Sequence, residues 1–298
     1  MTPQHYVAQK VFARLPDVRI AVLFGDPASR DAVLTIHALH AELLDSVNQA
    51  SDESVAHARL GWWRQELAAC ADNQPSHPVS RALAPLIRSH DIQLEYLLEM
   101  VEGAALDLAP TGFENLEALL LRCHRLDSMA RIICAGICGY EDHDTLRFAR
   151  SHGAATGLLQ VIVNAGEDYR RQRLRLPQSL LQRFEVPPAE LGGKHSSPAL
   201  RSLIKELHQS ARAHAEEAEA LLPAGDRYRQ RAALIELRLA MAHLEIIRRR
   251  DFEVLVQRPR LSPPKRLWLA WRAARVEEKR RRVKSGSANT LTQHSGKH

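Results

Sequence analysis

The chain has 298 residues, of which 45% are hydrophobic and 26% charged, and its formal net charge at pH 7 is +6. This composition is typical of a soluble globular protein and excludes a largely disordered chain, a collagen and a disulfide scaffold. The sequence has no run of 18 apolar residues, which argues against a membrane-spanning helix.

Apolar residues recur at spacings of three and four along the chain, so the sequence predicts an all-α fold of roughly ten helices. The predicted helices cover 31–48, 52–70, 79–89, 91–103, 115–136, 142–168, 200–222, 226–251 and 265–282. Proline and glycine predict a stop at 107–112, a long irregular connection over 177–198 and a break at 259–264. We expect one domain over residues 1–284 and a disordered polar tail over 285–298.

Charge and cysteine usage give expectations about location and partners. Residues 246–284 hold 14 Lys/Arg and 4 Asp/Glu, which indicates a surface for phosphates, acidic lipids or an acidic partner. The four cysteines form no Cys-x-x-Cys pair, and the first 25 residues lack the apolar stretch of a secretory signal. We therefore expect reduced, mostly buried thiols and a cytoplasmic location.

The most informative stretch covers residues 153–186. Glu167 and Asp168 end a predicted helix, and Asn164 lies on the same face, three and four residues earlier. A face of this kind, when rich in carboxylates, can hold Mg²⁺ ions that bridge to a diphosphate. Four arginines suited to phosphate oxygens follow directly: Arg170, Arg171, Arg173 and Arg175. The alternative from composition alone is a charged helix end followed by a solvated basic loop.

This stretch resembles the second aspartate-rich motif of the squalene/phytoene synthases, the head-to-head prenyl transferases. The family pattern runs roughly G-x-A-x-Q-L-T-N-I-L-R-D-V-G-E-D-x-x-R-G-R-x-Y-L-P. The positions that match in register are Gly153, Ala155, Gly166, Glu167, Asp168, Arg171, Arg173, Leu176 and Pro177. Further matching blocks are LGWWRQEL at 60–67, His77-Pro78-Val79, Gly103 with Asp107, and 134–139. The resemblance covers about residues 30–275 and implies the isoprenoid-synthase fold, a helical bundle around a central cavity.

The departures from the family fall on its catalytic positions. The first family motif, R-x-x-D-D-x-x-D, corresponds to residues 41–48, where Asp45 alone keeps its acid. The remaining motif positions carry Ala41, Leu44 and Asn48, and the second motif carries Gly157, Gln160, Val163 and Asn164 in place of Gln, Asn, Arg and Asp. The resemblance then implies a depleted Mg²⁺ set of Asp45, Asn164, Glu167 and Asp168, with Arg171 and Arg173 on the diphosphate.

Two functional hypotheses follow. Ionising an allylic diphosphate needs Mg²⁺ held by several carboxylates, and the chain keeps three of the family's six acids. We therefore predict a non-catalytic member that acts in lipid binding or in assembly of a membrane complex. The alternative is an active transferase that condenses two farnesyl or geranylgeranyl diphosphates, with Asp45, Glu167 and Asp168 as its catalytic acids and Mg²⁺ as its cofactor. The chain also resembles the phytoene-synthase-like assembly factor of mitochondrial respiratory complex I, which shares the loss of first-motif acids and favours the first hypothesis.

The basic C-terminal helix is a candidate membrane or partner surface. Trp268 and Trp271 lie three residues apart among Arg266, Arg272 and Arg275, and the alternative is ordinary amphipathic packing. We expect peripheral attachment to the inner membrane, with a prenyl diphosphate, another lipid or a protein as partner. Nucleic acid is not an expected partner, because the sequence carries no RNP, helix-turn-helix or KH pattern.

Overall fold

The computed structural model describes residues 1–72, 74–109 and 112–294, apart from the side chains of residues 71 and 284–294. Within these residues the regular elements are all helical, which confirms the predicted all-α class. The α-helices are α1 Pro3–Arg14, α2 Pro16–Leu23, α3 Arg30–Asn48, α4 Glu53–Ala71, α5 Pro78–Ser89, α6 Leu94–Ala105, α7 Leu116–Cys123, α8 Met129–Cys138, α9 Asp144–Arg170, α10 Gln178–Arg183, α11 Pro198–Leu221, α12 Arg231–Arg249 and α13 Pro263–His294.

Several predicted boundaries are met by local capping. The Asp52 side chain accepts a hydrogen bond from the Val55 backbone N–H at 3.0 Å and caps α4, as the sequence predicts. The fourth helix begins later than predicted, at Leu94 and not at Asp91. Asp91 has a left-handed backbone with a φ of 49°, so it ends the turn after α5 and cannot open a helix.

Three helices lie in segments for which the sequence predicts no helix. These are α1 and α2 near the N-terminus, and α10 inside the connection predicted to be irregular. Pro177 directly precedes α10, and Pro3 and Pro16 occupy the first positions of α1 and α2. Proline is well tolerated there because the first helical residue needs no backbone N–H.

A π-turn at His124–Ser128 interrupts the single helix predicted over 115–136 and separates α7 from α8. Helix α9 crosses this turn in very close contact. A Cβ added at Gly153 of α9 would lie 2.3 Å from Ser128 Cα, so only glycine permits this approach. The extra residue in the turn brings Asp127 beside Arg122, five positions earlier.

Two large apolar clusters form the core. One joins α1–α6 with α8, and the second joins α7 with α9–α12. Elements of both clusters also contribute a set of buried charged side chains, which lies between the two motif helices α3 and α9.

The last helix, α13, packs on α12 and α2. It continues to His294 and thus extends into the segment predicted to be a disordered tail, whose end at 295–298 lies outside the described residues. No helix in the described part of the chain is long and apolar enough to cross a membrane.

Candidate functional site

The turn after α9 returns the chain to the core. Gln172 follows the helix with a φ of 59°, a left-handed conformation that favours glycine, and the family pattern has glycine here. Next, the Arg173 guanidinium donates a hydrogen bond to the Val47 backbone carbonyl of α3. The following arginine, Arg175, is then directed inward between α3 and α9.

Arg175 joins three parts of the fold through one guanidinium group. Its Nη1 lies 3.0 Å from Oδ1 of Asp168 on α9, and its Nη2 lies 2.8 Å from Oδ1 of Asn48 on α3. Nη2 also lies 3.0 Å from Oδ2 of Asp107, just beyond α6. The family pattern carries tyrosine at this position, so Arg175 is a departure that the count of missing acids did not reveal. The arginine connects the two motif helices directly.

The ion pairs continue from Asp107 into the bundle. Arg122 binds both carboxylate oxygens of Asp107 at 3.1 and 3.0 Å, and its Nη1 lies 2.6 Å from Oδ2 of Asp127. His40 Nε2 lies 2.9 Å from the other oxygen of Asp127. A Cβ at position 157 would lie 2.6 Å from Asp127 Oδ2, so Gly157 leaves the space that this carboxylate occupies. We call the set His40, Asn48, Asp107, Arg122, Asp127, Asp168 and Arg175 the buried network.

The buried network holds three carboxylates and two arginines, and its charges are almost fully removed from water. Burial alone would raise the pKa of Asp107, but Arg122 and Arg175 hold it below its usual value. At Asp168 burial prevails over Arg175 and raises the pKa, and Oδ2 of this carboxylate has no hydrogen-bond partner. Asp168, which keeps an acid of the family's second motif, is therefore paired with Arg175 through one of its two oxygens.

The outer half of the α9 face is also bound by arginine. Arg258, beyond α12, donates to Oδ1 of Asn164 and lies 3.4 Å from Oε2 of Glu167. Arg171 Nη2 lies 2.6 Å from the other oxygen of Glu167. The structure thus brings Asn164, Glu167 and Arg171 together with Arg258, which no sequence motif indicates.

Asp45 lies on the side of α3 that contacts α1. Its carboxylate is 2.9 Å from Lys10 Nζ and 2.7 Å from Arg14 Nη2, both on α1. Asp45 thus pairs with α1 and makes no contact with the acids of α9 among the described residues. In that part of the chain no three His, Cys, Asp or Glu side chains are grouped to hold a metal ion, and the predicted Mg²⁺ set stays a prediction.

A small cavity of about 30 Å³ lies among α2, α3, α8, α9 and α12. Its polar lining includes His37, Arg131, His152 and Glu236, and Arg131 donates to Glu236. A buried water needs roughly 10–15 Å³ of such space, so this cavity suits one or two waters. Burial lowers the pKa of His37 to about 3 and that of His152 to about 4, so both imidazoles are neutral at pH 7.

These two histidines predict a loss of stability in mild acid. The unfolded chain takes up protons on both residues below about pH 6.5, while the folded chain does not until about pH 4 or lower. These two histidines alone should therefore lower the free energy of unfolding by about 4 kcal/mol between pH 8 and pH 5, as measured by urea denaturation. His152→Gln should reduce the measured pH dependence by about 2 kcal/mol, and a stability that stays constant over this range would contradict the assignment.

The residues predicted to form the C-terminal surface divide into two groups. Trp268, Trp271, Arg272 and Arg275 are exposed on α13. Arg266 instead faces the body of the protein, where it pairs with Asp17 of α2. The latter arginine fixes the helix and is not part of the exposed surface.

Comparison with known proteins places this architecture in a family. The family model for squalene/phytoene synthase matches residues 17–266. The chain is 23% identical over 272 residues to a 15-cis-phytoene synthase of Synechocystis, with 86% of this chain and 81% of that protein covered. It is 24% identical over 257 residues to a chloroplastic phytoene synthase of Daucus carota, covering 83% of this chain and 64% of the plant protein.

Solved structures show the same fold. A dehydrosqualene synthase in complex with a ligand superimposes with a TM-score of 0.82 at 18% identity, covering 93% of this chain and 97% of that one. A squalene synthase from Alicyclobacillus acidocaldarius gives a TM-score of 0.71 at 19% identity, covering 84% and 94%. The predicted isoprenoid-synthase fold is confirmed, and the chain belongs to the squalene/phytoene synthase family.

Proposed function

We propose that this chain is a non-catalytic member of the squalene/phytoene synthase family that acts by binding lipid or by assembling a membrane complex. One observation carries the proposal: the chain's own arginines bind the side chains at the metal positions of the second motif. Arg175 binds Asp168, and Arg258 binds Asn164 and Glu167.

The physical reason lies in the charge that a prenyl diphosphate must lose. Its departure requires Mg²⁺ ions held by several carboxylate oxygens, which neutralise the developing negative charge. Here Leu44 and Asn48 supply no acid on α3, and Asp45 pairs with Lys10 and Arg14. The remaining donors therefore do not fit a Mg²⁺–diphosphate cluster.

The interior packing supports the same proposal. The buried network fills the space between α3 and α9, and the nearby cavity among α2, α3, α8, α9 and α12 measures about 30 Å³. A lipid partner would then bind at the surface of the bundle. The resemblance to the complex I assembly factor favours an assembly role at the inner membrane, with the protein attached peripherally.

An active head-to-head prenyl transferase is the second candidate. It is supported by the retained Glu167 and Asp168 and by relatives that are named phytoene synthases. In that case Asp45, Glu167 and Asp168 would need to hold Mg²⁺ after their arginine and lysine partners had moved away.

A turnover assay separates the two candidates. The purified chain is incubated with Mg²⁺ and labelled farnesyl or geranylgeranyl diphosphate, with and without NADPH, beside an active phytoene synthase as positive control. We expect no C30 or C40 product from this chain. Formation of either product would overturn the proposal and assign the chain to the active transferases.

A further inference from the structure

The outer face of α13 carries an ordered row of tryptophans and cations. At 3.6 residues per turn, six side chains fall within about one third of the helix circumference. We call this band the outer stripe; it consists of Lys265, Trp268, Trp271, Arg272, Arg275 and Lys279, and all six are exposed.

The rotation of α13 about its axis is fixed by contacts on the opposite side. Ala270 is fully buried, Arg266 pairs with Asp17, and Glu277 lies 3.1 Å from Arg227. The outer stripe therefore faces away from the bundle as a consequence of packing.

The outer stripe combines large apolar area with uncompensated positive charge. Trp268 is 50% exposed and Trp271 47% exposed. The Arg272 guanidinium lies 5.0 Å from the centre of the Trp268 ring, and that of Arg275 lies 5.3 Å from the centre of the Trp271 ring. No ion pair of the described residues involves the stripe's four cations, Lys265, Arg272, Arg275 and Lys279. Tryptophan rings with cations at the same level suit the boundary between lipid headgroups and acyl chains.

An apolar groove opens beside the outer stripe. It has a volume of about 280 Å³ between α12 and α13, and its apolar lining includes Leu234, Ile235, Met241, Leu269 and Val276. Arg272 belongs both to the groove and to the outer stripe. A lipid headgroup at Arg272 would thus have room for part of an acyl chain next to it.

We propose that the outer stripe binds the surface of an anionic lipid bilayer, with Trp268 and Trp271 inserted at headgroup level. Negatively charged headgroups complement the four cations, each of which contributes about fivefold to binding near such a surface. A second copy of this chain is a poor occupant, because a two-fold contact would oppose two stripes of the same charge. This inference rests on the peripheral attachment proposed above and names the surface for it, whereas catalysis is tested separately by the turnover assay.

Flotation with lipid vesicles tests this proposal on the full chain. We expect binding to phosphatidylcholine vesicles that contain about 30% phosphatidylglycerol, and no binding to phosphatidylcholine alone. Binding should weaken steeply between about 0.1 M and about 0.5 M salt, because the Debye length shrinks over this range. Tryptophan fluorescence should shift to the blue on binding as the rings leave water.

Two double variants separate the contribution of positive charge to membrane binding from that of tryptophan insertion. Arg272→Gln with Arg275→Gln should weaken binding about 25-fold, whereas Arg59→Gln with Lys205→Gln removes equal exposed charge elsewhere and should have little effect. Trp268→Ser with Trp271→Ser should abolish the fluorescence shift and weaken binding at least about 10-fold, with Tyr96→Ser as the apolar control. Circular dichroism and thermal melting confirm that each variant is folded.

Four results would overturn the proposal. One is an absence of binding to the anionic vesicles, and another is equal binding to neutral and anionic vesicles. The third is binding that the Arg59/Lys205 control lowers as much as the stripe variant does, since this would indicate attraction by net charge alone. The fourth is vesicle binding by the tryptophan variant that equals that of the wild type, since the rings would then not insert and an acidic protein would be the better partner.

Discussion

Replacing Arg175 with methionine is expected to lower the free energy of unfolding by about 3–5 kcal/mol. The guanidinium is the only cation bound to Asp168 among the described residues, and it also binds Asp107 and Asn48. Its loss leaves buried Asp168 without a cation, leaves Asp107 with Arg122 alone, and removes the direct link between α3 and α9. Methionine keeps a similar length and apolar volume, so the measured loss reports the missing charge and hydrogen bonds. Urea denaturation followed by circular dichroism gives this free energy.

Arg171→Met is the matched control for this substitution. Arg171 lies four residues earlier and pairs with Glu167, but Arg171 is exposed and Glu167 is partly exposed, so its loss should cost less than about 1 kcal/mol. Similar costs for the two variants would show that the buried network contributes no more than a surface ion pair. The role assigned to Arg175 would then be wrong.

Much of the fold was predictable because the spacing of apolar residues and the residues typical of helix ends indicate the same helix boundaries. The α3 and α4 boundaries follow from an apolar face and from Asp52 at the start of α4. The short helix α10 was missed because proline and glycine on both sides suggested a loop, yet Leu180 and Leu181 are buried and hold it against the core. Tertiary packing decided that segment, and local composition did not.

The π-turn had no signal in the sequence. In a regular helix, residues five apart point in different directions, so Arg122 and Asp127 would not be paired by inspection. The inserted residue at His124–Ser128 places them 2.6 Å apart. The sequence shows that Gly153 and Gly157 of α9 are small, but it does not show that they leave space for Ser128 and Asp127.

At the candidate site, the sequence motif names the carboxylates but not which arginines bind them. The motif identifies Glu167 and Asp168, and the family resemblance assigns Arg171 and Arg173 to a diphosphate. The structure pairs Arg171 with Glu167 and Arg173 with the Val47 carbonyl. Arg175 could have been found from the sequence, because it replaces the pattern's tyrosine, whereas Arg258 lies 94 residues from Asn164 and only the fold brings them together.

Restoring the missing acids should change metal-dependent binding of pyrophosphate from absent to measurable. The variant combines Leu44→Asp, Asn48→Asp and Asn164→Asp with Arg258→Gln, so that carboxylates face each other from α3 and α9 while Glu167 loses a competing cation. Titration calorimetry of pyrophosphate, with Mg²⁺ and with EDTA, should show Mg²⁺-dependent binding for the variant at about micromolar to millimolar Kd. The wild type should show none.

The wild-type measurement decides how this result is interpreted. Arginines on the α9 acids compete with Mg²⁺ for the same oxygens, and each competes without the entropic cost of binding an ion from solution. If the wild type binds pyrophosphate only with Mg²⁺, and Glu167→Ala abolishes that binding, its acids hold metal despite their arginine partners and the non-catalytic proposal fails. If the wild type shows no binding and the variant binds pyrophosphate, the metal site was lost through the natural residues that the variant replaces, while the fold was kept. Binding by neither protein would mean that the arginines left on the α9 acids, Arg171 and Arg175, are enough to exclude the metal, and adding Arg175→Tyr to the variant should then restore Mg²⁺ dependence.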